Sequence, residues 1–572
     1  MNYKREYKKW AEFEGLDEEL KTQMQEMSED EKAEAFGYPM EFGTAGMRGY
    51  LGPGAGQMNI YTVKQATEGL ARFIARTGDP ARRDGVVISY DSRYHSRDFA
   101  FCAAGVLGAH DIKTYLFDDI RPTPELSFSL RELGAFAGIM ITASHNPKRY
   151  NGYKIYGPDG GQMGPDNVSI VTQYIRKAKK IFEIPEKSIY KMRDEHLLQM
   201  IGFDLDEKYL AQVQTVSVDH ELIAKWADQT KIVYTPLYGT GKVIGYKALK
   251  NVGFTNFRMV EKQAIADPEF PGAPTPNPEY EETFVAAKNI GHEIDADVLV
   301  ATDPDADRLG VEVKMPDGNY KQITGNQIAA IILNYILTAK KAQDKLPFNA
   351  VMIESIVSST LPQKIAADFN VRTIQVETGF KFIAEKIRRL ERDCNGTFIF
   401  GFEESYGFLL KGFVRDKDAI QAITIMAEIA AYYKSQGKTI YDGLQEIFAK
   451  YGYFVEKTIS KEFEGAAGKE QMEAIMTRLR SEHIHEFASI KVESIEDYDN
   501  NLRTNSDGSV EELNMPKSNV LKYILADGSW IAARPSGTEP KIKFYFGTQG
   551  ESQQEAQENL DRLIKNLNAH IE

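Results

Sequence analysis

Four stretches of the chain share one outline: an apolar strand, a polar loop and a second apolar strand. They are GIMITASHNPKRYNGYKIYG, DVLVATDPDADRLGVEV, GTFIFGFEESYGFLL and, near the C-terminal end, SWIAARPSGTEPKIKFYFG. The flanks are interchangeable strand sequence, whereas each loop carries its own chemistry, and a strand-to-strand connection is ordinarily short and neutral. This pattern points to four domains that each lend one loop to a shared site; four unrelated surface hairpins are the alternative. A length of 572 residues suits about four domains. Between the loops, helical stretches such as TVKQATEGLARFIAR alternate with β-branched runs such as GVVISYDS. That alternation predicts an α/β fold with largely parallel sheets. The repeats place boundaries near residues 205, 320 and 452, giving domains 1–205, 206–320, 321–452 and 453–572. Residues 1–35 read as polar helix, and the chain closes with a helix whose Leu560, Leu563, Ile564, Leu567 and Ile571 form a core-facing stripe.

A formal net charge of −14 disfavours nucleic acid and anionic lipid as partners. Anionic small molecules stay admissible, since a local Arg/Lys cluster can outweigh the global charge. Two cysteines, Cys102 and Cys394, build neither a disulfide framework nor a thiolate zinc site. The opening MNYKREYKKW lacks the apolar stretch of a signal peptide. The longest apolar run, AIQAITIMAEIAAYY, is interrupted by Gln421 and Glu428 and falls short of the roughly 20 residues that span a bilayer. Together these features predict a cytoplasmic protein with no membrane partner.

In DPDADR, Asp303, Asp305 and Asp307 alternate, so in an extended segment their carboxylates leave on one side. Such carboxylates repel unless a cation sits among them, and a hard divalent ion such as Mg²⁺ leaves room for a phosphate oxygen. An EF-hand fails, because Arg308 and Lys314 stand where its Gly and closing Glu belong. A solvated acidic turn is the rival reading; Arg308 beside the triplet and the flanking strands favour the metal. In TASHNPKRYNGYK, Ser144, His145 and Lys154 share one loop, with Ser144 on a turn where it can act as nucleophile or carry a phosphate. RPSGTEPK offers the Arg534 guanidinium, the Ser536 and Thr538 hydroxyls and a backbone amide freed by Gly537, which suit a phosphate dianion. GFEESYG presents Glu403, Glu404 and Ser405, acceptors for the vicinal hydroxyls of a sugar. Paired acids also suggest a glycosidase, but that leaves the metal and phosphate loops without purpose. The Gly-dense FGTAGMRGYLGPGAG around Arg48 lets backbone amides approach a ligand, or is a plain surface loop. YGTGKVIG is not a P-loop, since Pro236 and Val243 replace required residues. His483 and His485 in SEHIHEF read as a solvated strand face.

FGTAGMRG, TASHNPKRYNGYK, TPLYGTG, DPDADR, TGNQ, TGFK, GFEESYG and RPSGTEPK, in that order along nearly the whole chain, resemble the α-D-phosphohexomutases. The resemblance implies a four-domain, heart-shaped α/β enzyme, with domains 1 to 3 similar mixed α/β sheets and domain 4 a distinct α+β domain. It implies that Ser144 is the phosphorylated serine, with Lys154, a candidate general base, and Arg48 around the transferring phosphoryl group. Asp303, Asp305 and Asp307 then hold one Mg²⁺ per chain, completed by a phosphoserine oxygen. Glu403 and Ser405 read the sugar hydroxyls, Arg534, Ser536 and Thr538 clamp the non-reacting phosphate, Lys381 contacts substrate, and Arg308 follows the metal loop. The activity implied is interconversion of glucose 1-phosphate and glucose 6-phosphate through glucose 1,6-bisphosphate, which also serves as activator. Pentose and mannose phosphates are the alternative substrates. An aspartyl-phosphate mutase and a phosphosugar-binding protein without turnover are the competing mechanisms.

Overall fold

A computed structural model describes residues 2–43, 46–463, 468–482, 484–536 and 541–571. The first sheet has six strands, ordered Met47–Tyr50, Tyr150–Tyr156, Ala137–Ile141, Val86–Tyr90, Thr114–Phe117 and Leu198–Ile201. Its four strands from Ala137–Ile141 onward are parallel, and the first two join by antiparallel pairing. Every residue of Val86–Tyr90 is buried, as a strand covered on both faces requires. Alternation divides them: Val86 and Ile88 pack under the helices Ile60–Thr77 and Ser96–Ala109, while Val87 packs with Leu126 and Leu130 of the helix Thr123–Glu132. The second sheet repeats the scheme with five strands, ordered Tyr320–Ile323, Leu309–Lys314, Val298–Thr302, Ile232–Thr235 and Phe257–Met259. The third has four: Arg372–Val376, Ala350–Ser355, Thr397–Glu403 and Gly407–Leu409. In each of the three, an antiparallel hairpin on one side of the sheet carries the polar loop singled out in the sequence; in the first two a further antiparallel strand lies outside it.

The fourth sheet differs, with every strand pair antiparallel. Ile531 and Ala533 face the helix Gln553–Ile571, whose Leu560, Leu563, Leu567 and Ile571 are buried as the stripe predicts. On the opposite face Trp530, Ala532 and Tyr545 meet Ile356 and Val357 of the third unit. The second and third units instead share one large core running from Tyr209 to Phe454, to which Phe128 of the first also contributes. The last unit thus meets the third through this apolar patch and through Phe454 at the margin of the shared core, whereas the second and third units are joined by extensive burial.

Two local readings change. Residues 1–35 form three helices, Tyr3–Ala11, Glu18–Glu26 and Glu29–Gly37. Asp17 caps the second, and a Ser28–Glu31 capping box starts the third, so local side-chain bonds cut what composition reads as continuous. The apolar run is the helix Ala419–Ser435, buried in the shared core. Its Gln421 accepts the amides of Leu410 and Lys411, and Glu428 those of Val218 and Asp219. Among the described residues no helix is long and apolar enough to cross a membrane.

At the joint to the last unit, the buried Lys522 ammonium donates to the Ile356 carbonyl at 2.7 Å. Nearby, the fully buried Glu354 accepts from Gln363 and Gln375 while its second oxygen has no partner among the described residues. Burial pushes this carboxyl up to about 8 from the ordinary 4.5. Between those values the folded chain keeps a proton that the unfolded chain has lost, so stability falls as pH rises through that window. Glu354→Gln carries no such proton. Its melting temperature is expected to fall less than that of the parent between pH 5 and pH 8.5, as differential scanning calorimetry would show; parallel decline in both proteins would contradict the assignment.

Candidate active site

Ser144 follows the strand Ala137–Ile141 and adopts a left-handed backbone, φ 54°, a conformation that costs a non-glycine residue on the order of 1 kcal/mol. Its amide donates to Thr142 Oγ1 at 2.8 Å, and Thr142 in turn donates to the buried Asp91 at 2.7 Å. This turn aims the Ser144 hydroxyl across the domain boundary, where it donates to Asp303 Oδ2 at 2.7 Å. His145 Nδ1 lies 3.2 Å from the same hydroxyl. Burial, with the charges of Arg308, Arg48 and Arg93, holds that imidazole well below its ordinary value, so it is neutral at pH 7. Arg48 is exposed on the edge strand, opposite Gly152.

The aspartate loop is a turn and not an extended segment. Ala306 is left-handed at φ 52°, and its amide donates to the Asp303 carbonyl at 2.9 Å. The amides of Asp307 and Arg308 donate to Asp303 Oδ1 at 3.1 and 3.0 Å. The carboxylates thus converge because the chain curls around one of them, with ligand oxygens within 4.8 Å of one another. TPLYGTG braces this turn: Thr240 donates through its amide and hydroxyl to the Pro304 carbonyl, and a Cβ on Gly239 would lie 2.3 Å from Pro304.

All three carboxylates are buried, and Oδ1 of Asp305 and of Asp307 has no hydrogen-bond partner among the described residues. Burial and the charges of Asp305 and Asp307 raise Asp303 well above its ordinary value; burial and Asp305 raise Asp307. For Asp305 burial acts in the same direction but is outweighed by Lys154, which holds it low. Orphaned buried oxygens on an all-carboxylate set fit a hard divalent cation. Lys154 Nζ lies 3.0 Å from Asp305 and 3.9 Å from Asp307. Burial disfavours its charge, but the two carboxylates prevail and raise its pKa.

Three partners escaped the sequence reading. Lys417 Nζ pairs with Asp307 at 2.9 Å and with Asp416 at 3.1 Å, and Thr123 Oγ1 donates to Asp305 at 2.9 Å. The only linear trace of the first two is the charge alternation RDKD ahead of an apolar helix.

The sugar loop adjoins this cluster, with Arg308 bridged to Gly407 and ion-paired to Glu279 at 2.7 Å. Glu403 is buried and accepts the Gly379 amide at 2.6 Å; Glu404 accepts from Ser355 at 2.8 Å, and Ser405 is half-buried on the turn. Burial raises Glu403, and burial together with the Glu403 charge pushes Glu404 up to about 7. Burial and the nearby Arg534 charge lower Lys381, while Ser536 is half-buried beyond Arg534, its amide donating to the Lys541 carbonyl at 2.8 Å. Gly537, Thr538 and His483 lie outside the described residues.

Four sequence models match the chain. Their descriptions are phosphoglucomutase/phosphomannomutase α/β/α domain I over residues 39–182, domain II over 207–315, domain III over 324–451, and the C-terminal domain over 464–565. A phosphoglucomutase of Staphylococcus epidermidis is 41% identical over 533 residues, 93% of this chain and 94% of that one. A Staphylococcus aureus phosphoglucomutase is 39% identical over 549 residues, covering 96% and 95%. Two solved structures share the fold: the Paramecium phosphoglucomutase pp63/parafusin in its open form, with a TM-score of 0.66 at 17% identity over 92% and 95% of the chains, and a phosphoglucomutase/phosphomannomutase family protein of Burkholderia thailandensis, with a TM-score of 0.65 at 17% identity over 92% and 96%.

Proposed function

The chain belongs to the phosphoglucomutase/phosphomannomutase family, and from that premise we propose that it interconverts α-D-glucose 1-phosphate and glucose 6-phosphate through phosphorylated Ser144 and glucose 1,6-bisphosphate. The observation that carries the mechanism is the Ser144 hydroxyl 2.7 Å from one aspartate of a buried triad whose remaining oxygens lack partners. The name shared by the staphylococcal relatives supports glucose over pentose and mannose. One loop comes from each of the units 1–205, 206–320, 321–452 and 453–572.

In the forward step a sugar hydroxyl attacks the phosphorus on Ser144; the new P–O bond forms as the bond to Oγ breaks, and Lys154 gives a proton to the departing Oγ, which returns to a hydroxyl, and takes up the proton of the attacking hydroxyl. Asp303, Asp305 and Asp307, with a phosphoserine oxygen, would hold one Mg²⁺, which would neutralise the charge that builds on the transferring group. Lys154, kept as an ammonium by its two carboxylates, and Arg48 face the same oxygens; the general-base role of Lys154 requires that the carboxylate charge be taken up elsewhere. His145, neutral, accepts or donates a hydrogen bond at Oγ. Glu403 and Ser405 read the sugar hydroxyls, with Lys381 and Arg308 beside them, while Arg534, Ser536, Gly537 and Thr538 grip the distant phosphate. That grip must accept two sugar orientations, so it holds the phosphate firmly and the ring loosely. The small apolar joint to the last unit suits a rotation that closes the clamp and excludes water from the phosphoserine. Two free cysteines, one of them exposed, fit a reducing cytoplasm.

Purified protein with Mg²⁺ and catalytic bisphosphate, given glucose 1-phosphate, mannose 1-phosphate and ribose 1-phosphate in turn, is expected to turn over glucose at least about tenfold faster, in kcat/KM, than either rival. Faster turnover of ribose would retain the mechanism and overturn the substrate; no turnover of any would overturn the enzyme.

A further inference from the structure

Arg93 is only 4% exposed, and its guanidinium is turned to backbone. One terminal nitrogen donates to the carbonyls of Pro147 at 2.9 Å and Tyr150 at 3.1 Å, and the other donates to the carbonyls of Ser144 and Asn146. Four backbone acceptors of the Ser144 loop thus converge on one side chain. Asp91, 3.2 Å from Arg93 Nε, balances the charge and also accepts from Thr142, the residue that holds the Ser144 amide. The guanidinium packs against Phe270, which comes from the second unit, is 1% exposed and places its ring centroid 5.1 Å from Arg93 Cζ. Beside it, Glu269 accepts from Lys148 at 2.5 Å and from Tyr94, fastening the same loop to the same segment.

We infer that Arg93, capped by Phe270, is the positioning residue that sets the Ser144 loop, so that the unit supplying the aspartate triad also fixes where the serine points. The planar guanidinium is the group that can do this. Its two terminal nitrogens each present two hydrogens in a rigid fork, whereas a lysine ammonium in the same place holds three donors on one atom and cannot span acceptors from Ser144 to Tyr150. The aromatic face screens the cation from water without competing for its hydrogens. A left-handed Ser144 needs such outside support, because its local backbone preference points elsewhere.

The inference rests on Ser144 as nucleophile, so the test separates the two. Arg93→Lys and Phe270→Leu full-length proteins are compared with the parent by steady-state kinetics and by amide hydrogen exchange resolved over residues 143–150. In Arg93→Lys, kcat is expected to fall about 100-fold with KM within about threefold, as a misplacement near 1 Å would produce; exchange in 143–150 accelerates while the strands on either side keep their protection. Phe270→Leu, which stays apolar but removes the aromatic face, shows the same pattern at about tenfold. Unchanged exchange in that segment in a folded variant would overturn the positioning role whether or not the protein is a mutase. A rise in KM matching the loss in kcat would overturn it too, by making Arg93 a ligand-binding residue. Should Arg93→Lys fail to fold, the Phe270→Leu result decides alone. An inactive parent protein would instead overturn the proposed function, and the exchange data would still judge Arg93.

Discussion

Ser144→Ala is expected to lose turnover by about four orders of magnitude or more, the scale seen when a covalent nucleophile is removed. Alanine tolerates the Ser144 backbone no worse than serine, and the Thr142 bond to the residue 144 amide survives the change. What disappears is the oxygen proposed to carry the phosphoryl group, together with its hydrogen bond to Asp303. Phosphosugar affinity should stay within about tenfold, because the clamp proposed for the distant phosphate belongs to the last unit, not to this loop. Stopped assays of glucose 1-phosphate conversion, with calorimetry for binding, check both halves. Parent-like turnover in the variant would refute Ser144. The same protein tests the aspartyl alternative: phosphate on the parent should survive acid, and cleavage by hydroxylamine would move the nucleophile to the aspartate loop.

Removing divalent cations by chelation is expected to lower turnover by about 1,000-fold, restored by Mg²⁺, since neutralising the charge on a transferring phosphoryl group contributes several kcal/mol. The physical cause lies in the resting site. Asp303, Asp305, Asp307 and Asp416 are all buried, with Lys154 and Lys417 as their cations, and Arg308 is engaged by Glu279. Burial, and then the excess of anionic charge, makes Asp303 and Asp307 resist ionisation. A cation that binds only the folded chain must also stabilise it, by about 2.7 kcal/mol at a hundredfold excess over Kd. The melting temperature should therefore climb with added Mg²⁺ in the parent and stay flat in Asp305→Asn, in which one orphaned carboxylate oxygen is lost. A metal-independent melting temperature in the parent would count against the triad as the metal centre.

Much of this site could be read from the linear sequence because its chemistry is concentrated in loops. Ser144, His145 and Lys154 lie within eleven residues, and Asp303, Asp305 and Asp307 within five. Residue types that dense on a short polar turn between apolar strands leave few other uses. The reading failed where geometry did not follow from spacing. Alternating aspartates suggest an extended strand, yet the loop curls, because the Asp303 carboxylate captures the Asp307 and Arg308 amides. Arg93, Lys417 and Thr123 were missed for a related reason. Each sits far along the chain from the group it serves, Arg93 some fifty residues from Ser144, Lys417 more than a hundred from Asp307, and Thr123 nearly two hundred from Asp305.

By itself, then, the sequence determined the α/β alternation, the four loop-bearing units, the buried stripe of the last helix and the chemical identity of each loop. Periodicity and turn chemistry are local, acting over a few residues with energies that each residue carries wherever it sits. Which charges meet was settled by packing. The Ser144 hydroxyl meets the buried aspartate triad because loops from two units bring it to Asp303, and Lys154 is an ammonium because two carboxylates from another unit surround it. Electrostatic and hydrogen-bond energies depend on distance and on exclusion of water, and neither exists for residues 151 positions apart until the chain has packed.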